Sequence, residues 1–169
     1  AKKMAENMLI SWSKQYGLDV NIVRPFHTYG PGIALDDGRV FCDFVKNVIE
    51  GQDIIIKSDG LARRCFCYLS DATKGFLTVM LNGKNCEAYN IANPSQEISI
   101  KDLAQLLTTI RKDVSLAVKF DNKSRGDSYL QSKLLTSLPS ISKAQEIGFL
   151  PEINLKEGFS KTIKSFSKI

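Results

Sequence analysis

The sequence predicts an α/β fold with a mainly parallel sheet. Short β-branched runs alternate with amphipathic helical stretches along the chain, the pattern in which each helix carries the chain back to begin another parallel strand. One buried run, Ile22-Val23-Arg24-Pro25, breaks straight into the polar and aromatic loop Phe26-His27-Thr28-Tyr29-Gly30-Pro31-Gly32, and such junctions are where α/β proteins place ligands. A third observation bounds the prediction. Neither Gly-x-Gly-x-x-Gly nor Gly-x-x-Gly-x-x-Gly occurs in these residues, so the strand, glycine-rich turn and helix that open a dinucleotide-binding unit are not among them.

In chain order, Ala1 to about Gln15 reads as a helix, with Met4, Met8, Leu9, Trp12 and Tyr16 at three- and four-residue steps and Gly17 as its stop. Leu18 to Pro25 reads as a strand and Tyr29 to Asp37 as a loop. A second amphipathic helix is predicted over Val40 to Glu50, closed by Gly51, and a short apolar strand over Ile54 to Lys57. Gly60 to Arg64 is a turn and Cys65 to Leu69 a strand, after which Ser70 and Asp71 fit the cap of a helix reaching Leu81. Glu87 to Ala92 is a strand, and Asn93-Pro94-Ser95 a loop. Ser99 opens a helix with Leu103, Leu106 and Leu107 inward and Asp102 as the acidic partner of a capping box. Val114 to Phe120 is a strand, and Asp121 to Ser137 is polar and irregular. Helices over Ser142 to Glu146 and Leu155 to Phe166 finish the chain, the second capped by Asn154 with Glu157 at its third position.

At 169 residues the chain can bury one ordinary core, and 43% hydrophobic with 24% charged residues suits a soluble globular protein. No apolar run approaches the roughly 20 residues of a membrane span, and the N-terminus reads as a charged amphipathic helix rather than a signal peptide, so a cytoplasmic location is expected. Cys42, Cys65, Cys67 and Cys86 show neither Cys-x-x-Cys spacing nor a neighbouring histidine, which argues against a zinc or thioredoxin-like site. Alternation along the strand places the sulfurs of Cys65 and Cys67 on one face and Phe66 and Tyr68 on the other. The net charge of +5 raises a nucleic-acid partner. Its excess is dispersed, however, and the lysines of the last helix form a solvated face without interleaved aromatics, so neither nucleic acid nor membrane is expected as a partner.

The order of motifs is more specific. Ala1-Lys2-Lys3-Met4-Ala5-Glu6, the Arg24 to Pro31 loop, Asp37-Gly38-Arg39-Val40, Gly60-x-x-x-Arg64-x-Phe66-x-Tyr68-x-x-Asp71, Tyr89-Asn90-Ile91, Ser99-Ile100-x-Asp102-Leu103-Ala104 and Ile141-Ser142-Lys143-Ala144 follow one another over almost the whole chain. Together they resemble the C-terminal half of an extended short-chain dehydrogenase/reductase that modifies nucleotide sugars. The segment Asp-Gly-Arg-Val and its spacing from Lys2 are most similar to the UDP-glucuronate decarboxylases; the dTDP-glucose 4,6-dehydratases are a looser match. The resemblance implies the C-terminal part of a Rossmann-like parallel sheet plus a small substrate-binding α/β subdomain, forming a single partial domain over residues 1–169 without the dinucleotide-binding part. It implies an NAD-dependent epimerase, dehydratase or decarboxylase of which this chain is the substrate-binding portion, inactive by itself.

Carried over residue by residue, the resemblance makes Lys2 the catalytic lysine. It would hold the nicotinamide ribose and lower the pKa of a tyrosine expected three residues before Ala1, one helical turn away on the same face. Phe26 and Thr28 would border the nicotinamide end of the NAD pocket, and Arg39 would reach toward cofactor or nucleotide. Arg64 would pair with the substrate diphosphate, a role suited to the two-pronged guanidinium. Arg125 is a second nucleotide or diphosphate candidate. Arg39 and Arg125 also read as surface arginines paired with Asp37 and Asp127. His27 departs from the pattern, which has asparagine there: it is either a substrate contact, adding a charge that titrates near pH 6.5, or a packed histidine without a ligand. Leu138-Pro139-Ser140 is a second departure. The stripe on the first helix is either core or, as the resemblance implies, a homodimer interface. A non-catalytic interaction or oligomerisation fragment is the alternative function.

Overall fold

Residues 1–121 and 136–166 are described by the structure, a computed structural model. Arg125 lies outside the described residues. The elements are α1 (Lys2–Tyr16), β1 (Ile22–Pro25), β2 (Thr28–Tyr29), α2 (Val40–Glu50), β3 (Ile54–Ile56), β4 (Arg63–Cys65), β5 (Cys67–Tyr68), α3 (Leu69–Asn82) and β6 (Ala88–Ile91). After a 3-10 turn at Pro94–Gln96 follow β7 (Glu97–Ser99), α4 (Ile100–Thr108), β8 (Val118–Phe120), β9 (Thr136–Ser137), α5 (Ser142–Glu146) and α6 (Leu155–Phe166). β1 runs parallel to β6, β2 to β5, β3 to β8 and β4 to β9; among the described residues only β4 and β7 pair antiparallel. The mainly parallel α/β prediction therefore holds.

Period-two alternation in one short segment divides the interior. Cys65 and Cys67 face a cluster with Ala72, Val79, Tyr89, Ile91, Ile141, Ala144 and Phe149, between α3, β6 and α5. Phe66 and Tyr68 face the opposite cluster, built from α2, β3, α4 and α6. The β4–β5 segment is thus a wall between two cores, because successive side chains of an extended chain point to opposite sides. Burial in these apolar surroundings pushes the Cys67 thiol up to about 12, as expected for an inert buried cysteine.

Helix ends follow local chemistry. Gly17 and Gly51 close α1 and α2 in the left-handed conformation, at φ 67° and 69°. Ser99 caps α4 by accepting from the Asp102 amide at 3.0 Å, and Asn154 accepts from the Glu157 amide at 2.9 Å. The capping box at α4 is only half formed: the Asp102 carboxylate accepts from the Ser99 hydroxyl at 2.6 Å.

Several expectations are corrected. The strand predicted from Leu18 begins only at Ile22, since Val20 is tied to a side chain, its amide donating to Asn85 Oδ1 at 2.9 Å. The strand predicted from Val114 begins at Val118, and the Ala117 amide donates to Asp53 Oδ1 at 2.9 Å. Pairing of Arg63 with Ser99 extends the predicted turn into β4. Asp71 does not cap α3. It is fully buried and accepts from the amides of Glu152 and Ile153 at 3.0 and 2.8 Å, anchoring the approach to α6. The α1 stripe is not core within this chain: Met4, Met8, Leu9, Trp12 and Tyr16 are all exposed, and Ser13 is the one buried residue of that helix.

Candidate functional site

The site lies where β1 ends. The Phe26 amide donates to the Ile91 carbonyl at 3.0 Å, carrying the β1–β6 pairing one residue past Pro25. At His27 the backbone turns into a left-handed conformation, φ 34°, and Thr28 then enters β2 beside Cys67 of β5. A β-branched or bulky residue is strained there, whereas histidine, asparagine and aspartate visit the region more readily. The Cys67 amide donates to the His27 carbonyl at 3.3 Å, fixing the turn against the wall between the cores.

Side chains from three other segments converge on this turn. The His27 ring lies against Phe66, centroids 5.7 Å apart. Phe66 in turn meets Phe41 edge-on at 5.5 Å, and the Arg39 guanidinium lies 4.8 Å over the Phe41 ring, within cation–π range. Arg39 also pairs with Asp37, whose carboxyl is held down at about 2 by that hydrogen bond. Its local carboxylate partner is therefore real, and it is seated on an aromatic platform as well. Arg64, on β4 in register with Ile98 of β7, is half-buried and donates to the Arg63 carbonyl at 2.7 Å. Burial first, then the positive charges of Arg64 and Arg39, hold His27 below the ordinary imidazole value of 6.5.

Lys2 is exposed at the first position of α1. Glu6, one turn on, accepts two bonds from Arg24 at 2.8 and 2.5 Å, which holds the start of α1 beside the C-terminal end of β1. Phe26, His27 and Thr28 follow directly on the C-terminal end of β1, and the Arg24–Glu6 pair holds the helix that carries Lys2 beside that strand. His27 rests on Phe66 and Arg39 on Phe41, while Arg64 lies on β4 two residues before Phe66. The Thr28 hydroxyl is buried without a hydrogen-bond partner among the described residues, so it retains donor and acceptor capacity for a bound molecule. Sequence reasoning missed Phe41 and Phe66 as site residues. Their alternation and helical spacing marked them only as core, and nothing local announces that their outer edges carry Arg39 and His27.

A mainly parallel α/β chain with cations and aromatic rings gathered at the C-terminal end of a strand belongs to the class of α/β proteins that bind ligands at strand ends. The pattern of the NAD dependent epimerase/dehydratase family matches residues 1–92, and the chain belongs to that family. It is similar to UDP-glucuronic acid decarboxylase 6 of Arabidopsis thaliana, 33% identical over 159 residues covering 93% of this chain and 43% of that protein. UDP-glucuronic acid decarboxylase 1 of Xenopus tropicalis is 32% identical over 168 residues, covering 99% and 38%. Among solved structures, the UDP-glucose 4-epimerase of Thermotoga maritima with UDP-glucose superposes with a TM-score of 0.81 at 26% identity, over 98% of this chain and 51% of that one. The chain spans less than half the length of these curated relatives.

Proposed function

We propose that this chain is the substrate-binding portion of an NAD-dependent nucleotide-sugar decarboxylase, epimerase or dehydratase. The observation that carries this reading is the match of residues 1–92 to a family described as NAD dependent, and it is supported by the buried Thr28 hydroxyl, without a hydrogen-bond partner among the described residues, just past the C-terminal end of β1. The likeness to UDP-glucuronic acid decarboxylases supports decarboxylation as the outcome. NAD, when bound, supplies reversible hydride acceptance from a sugar carbon.

The residues present fit such a cofactor, because the Thr28 hydroxyl is buried with hydrogen-bonding capacity that no described residue uses, two residues past the half-buried Phe26. Lys2 would hold the ribose hydroxyls and keep a positive charge at the start of α1, favouring the ionised form of a neighbouring proton-transfer group. Arg64 would pair with the substrate diphosphate through two parallel hydrogen bonds. Arg39, steadied by Asp37 and Phe41, would meet the nucleotide or the cofactor. The chain alone is expected to show no turnover, since the family's other half supplies the dinucleotide-binding loop.

Calorimetric titration with UDP-glucuronate tests the reading. Binding is expected, and Arg64→Gln should weaken it about ten- to a hundred-fold through loss of a charge-assisted pair. An unchanged affinity in that variant, or turnover by the chain alone, would overturn the corresponding claim. A second reading, association of two copies through residues 1–16, is favoured by the exposed stripe on α1.

A further inference from the structure

A cleft of about 410 Å³ opens just past the C-terminal end of β6, one strand along from β1. Its walls use none of Lys2, Phe26, His27, Thr28, Arg39 or Arg64. Three segments enclose it: the loop Asn93-Pro94-Ser95, the stretch from Pro139 into the first turn of α5, and Leu150-Pro151 ahead of α6.

Each wall is pinned by hydrogen bonds. Asn93 is 2% exposed; its Nδ2 donates to the Ile153 carbonyl at 3.2 Å and its Oδ1 accepts from the Ser95 hydroxyl at 2.6 Å. Asn90 of β6 donates through Nδ2 to the Ser140 carbonyl at 2.9 Å, which fixes the second wall to the sheet. The Phe149 amide donates to the Ala144 carbonyl at 2.9 Å, and buried Asp71 accepts from the two amides that follow Pro151. Walls held in this way lose little freedom when a ligand enters.

The lining sets the ligand's chemistry. Pro94, Pro139 and Pro151, with Ile141 and Leu150, make most of the surface apolar. Every polar side chain that lines the cleft among the described residues is neutral: hydroxyls at Ser95, Ser140 and Ser142, amides at Asn93 and Gln145. The Gln145 amide, on the exposed face of α5, makes no hydrogen bond among the described residues, so it offers both a donor and an acceptor. The charges next in sequence to the lining are already paired, Lys143 with Glu87 and Glu152 with Lys74. A charged ligand would shed water here without gaining a counter-charge. The volume falls within the range of about 300–1,000 Å³ for small-molecule pockets, and a cavity of about 150 Å³ already holds benzene, so one substituted ring fits.

We propose that this cleft is a small-molecule site for an uncharged, ring-sized ligand that carries a hydrogen-bond donor and an acceptor, of which an aromatic amide is the simplest example. Its occupancy requires neither a nucleotide sugar nor NAD.

Benzamide, benzoate and benzamidinium share one ring and differ in charge, so together they separate the cleft from general attraction. The net charge of +5 favours benzoate over the surface at large, whereas the neutral lining favours benzamide. Two-dimensional proton–nitrogen NMR of the chain should show benzamide shifting the amides of Ser95, Ser142 and Gln145 along one isotherm. A dissociation constant of about 1 mM is expected for a ligand of about nine non-hydrogen atoms, and both ions should bind there at least about ten-fold more weakly. Gln145→Glu replaces the amide with a carboxylate of the same shape at an exposed helix position, and benzamidinium should then become the tightest of the three. Three probes that bind alike, shifts centred on Phe26 to Thr28, or no shift of the lining amides at the solubility limit of benzamide would each overturn the proposal. So would an unchanged order of affinities in Gln145→Glu. The titrations of the parent chain need no variant, so the test stands even if Gln145→Glu fails to fold.

Discussion

Helices α1 and α2 each carry an apolar stripe, and the two stripes meet opposite fates. In α2, Phe41, Cys42, Phe44, Val45 and Val48 are all buried, packed against β3, α4 and α6. In α1, Met4, Met8, Trp12 and Tyr16 repeat at four-residue steps yet remain 46–69% exposed, and Glu6, Ile10 and Ser13 face inward instead. The difference teaches that periodicity reports an apolar face but not its partner. α2 finds its partners within 169 residues, whereas the outer face of α1 has none here among the described residues.

The largest effect that can break this comparison is truncation within the α2 face. Phe44 is 1% exposed, and Phe44→Ala should cost about 3–5 kcal/mol of stability by deleting a fully buried ring and leaving a cavity. Urea unfolding followed by circular dichroism would show it as a lowered midpoint. A cost under about 1 kcal/mol would mean that α2 is no better packed than α1.

A smaller effect sharpens how tightly the buried side is closed. Gly158 of α6 lies so near β2 that a Cβ there would stand 2.2 Å from the Tyr29 hydroxyl and 2.8 Å from its ring. Tyr29 cannot retreat easily, since it stacks on Phe159 at 4.0 Å and meets Tyr68 and Phe66 edge-on. Gly158→Ala is therefore expected to destabilise by about 1–3 kcal/mol, the usual range for overpacking. Thermal unfolding checks it, and an unchanged midpoint would show that α6 can slide outward.

What was legible in the sequence divides along the same line. Stops at Gly17 and Gly51 and caps at Ser99 and Asn154 rest on bonds within a few residues, and local reading found all four. Asp71 also looked like a cap, but its bonds go to Glu152 and Ile153, more than 80 residues on, and tertiary anchoring overrode the local signal. The truncation of the strands predicted from Leu18 and Val114 has the same origin, because Asn85 and Asp53 claim amides that a ladder would otherwise use. At the site, the order of motifs put Arg39 and Arg64 at positions of one family pattern and marked His27 as its departure. The seating of His27 on Phe66 and of Arg39 on Phe41 depends on which core each ring faces, and for Phe66 that is settled by the β4–β5 wall rather than by neighbours in sequence.

The smallest expected effect on stability is the most informative about α1. Trp12 is 48% exposed, so Trp12→Lys removes little buried area and should change unfolding free energy by no more than about 0.5 kcal/mol. Lysine is also a good helix former, which leaves the helix itself intact. Association should respond much more, because an aromatic side chain at the centre of an exposed apolar stripe supplies the contact energy of an interface, and a charge there must be desolvated on docking. Sedimentation velocity over a range of concentrations is expected to show reversible self-association of the parent chain and a shift toward monomer in Trp12→Lys. Parent and variant that sediment alike as monomers would remove the case for pairing through α1. A large loss of stability in the variant would instead mean that the stripe is buried in solution by the chain itself, and the contrast between α1 and α2 would disappear.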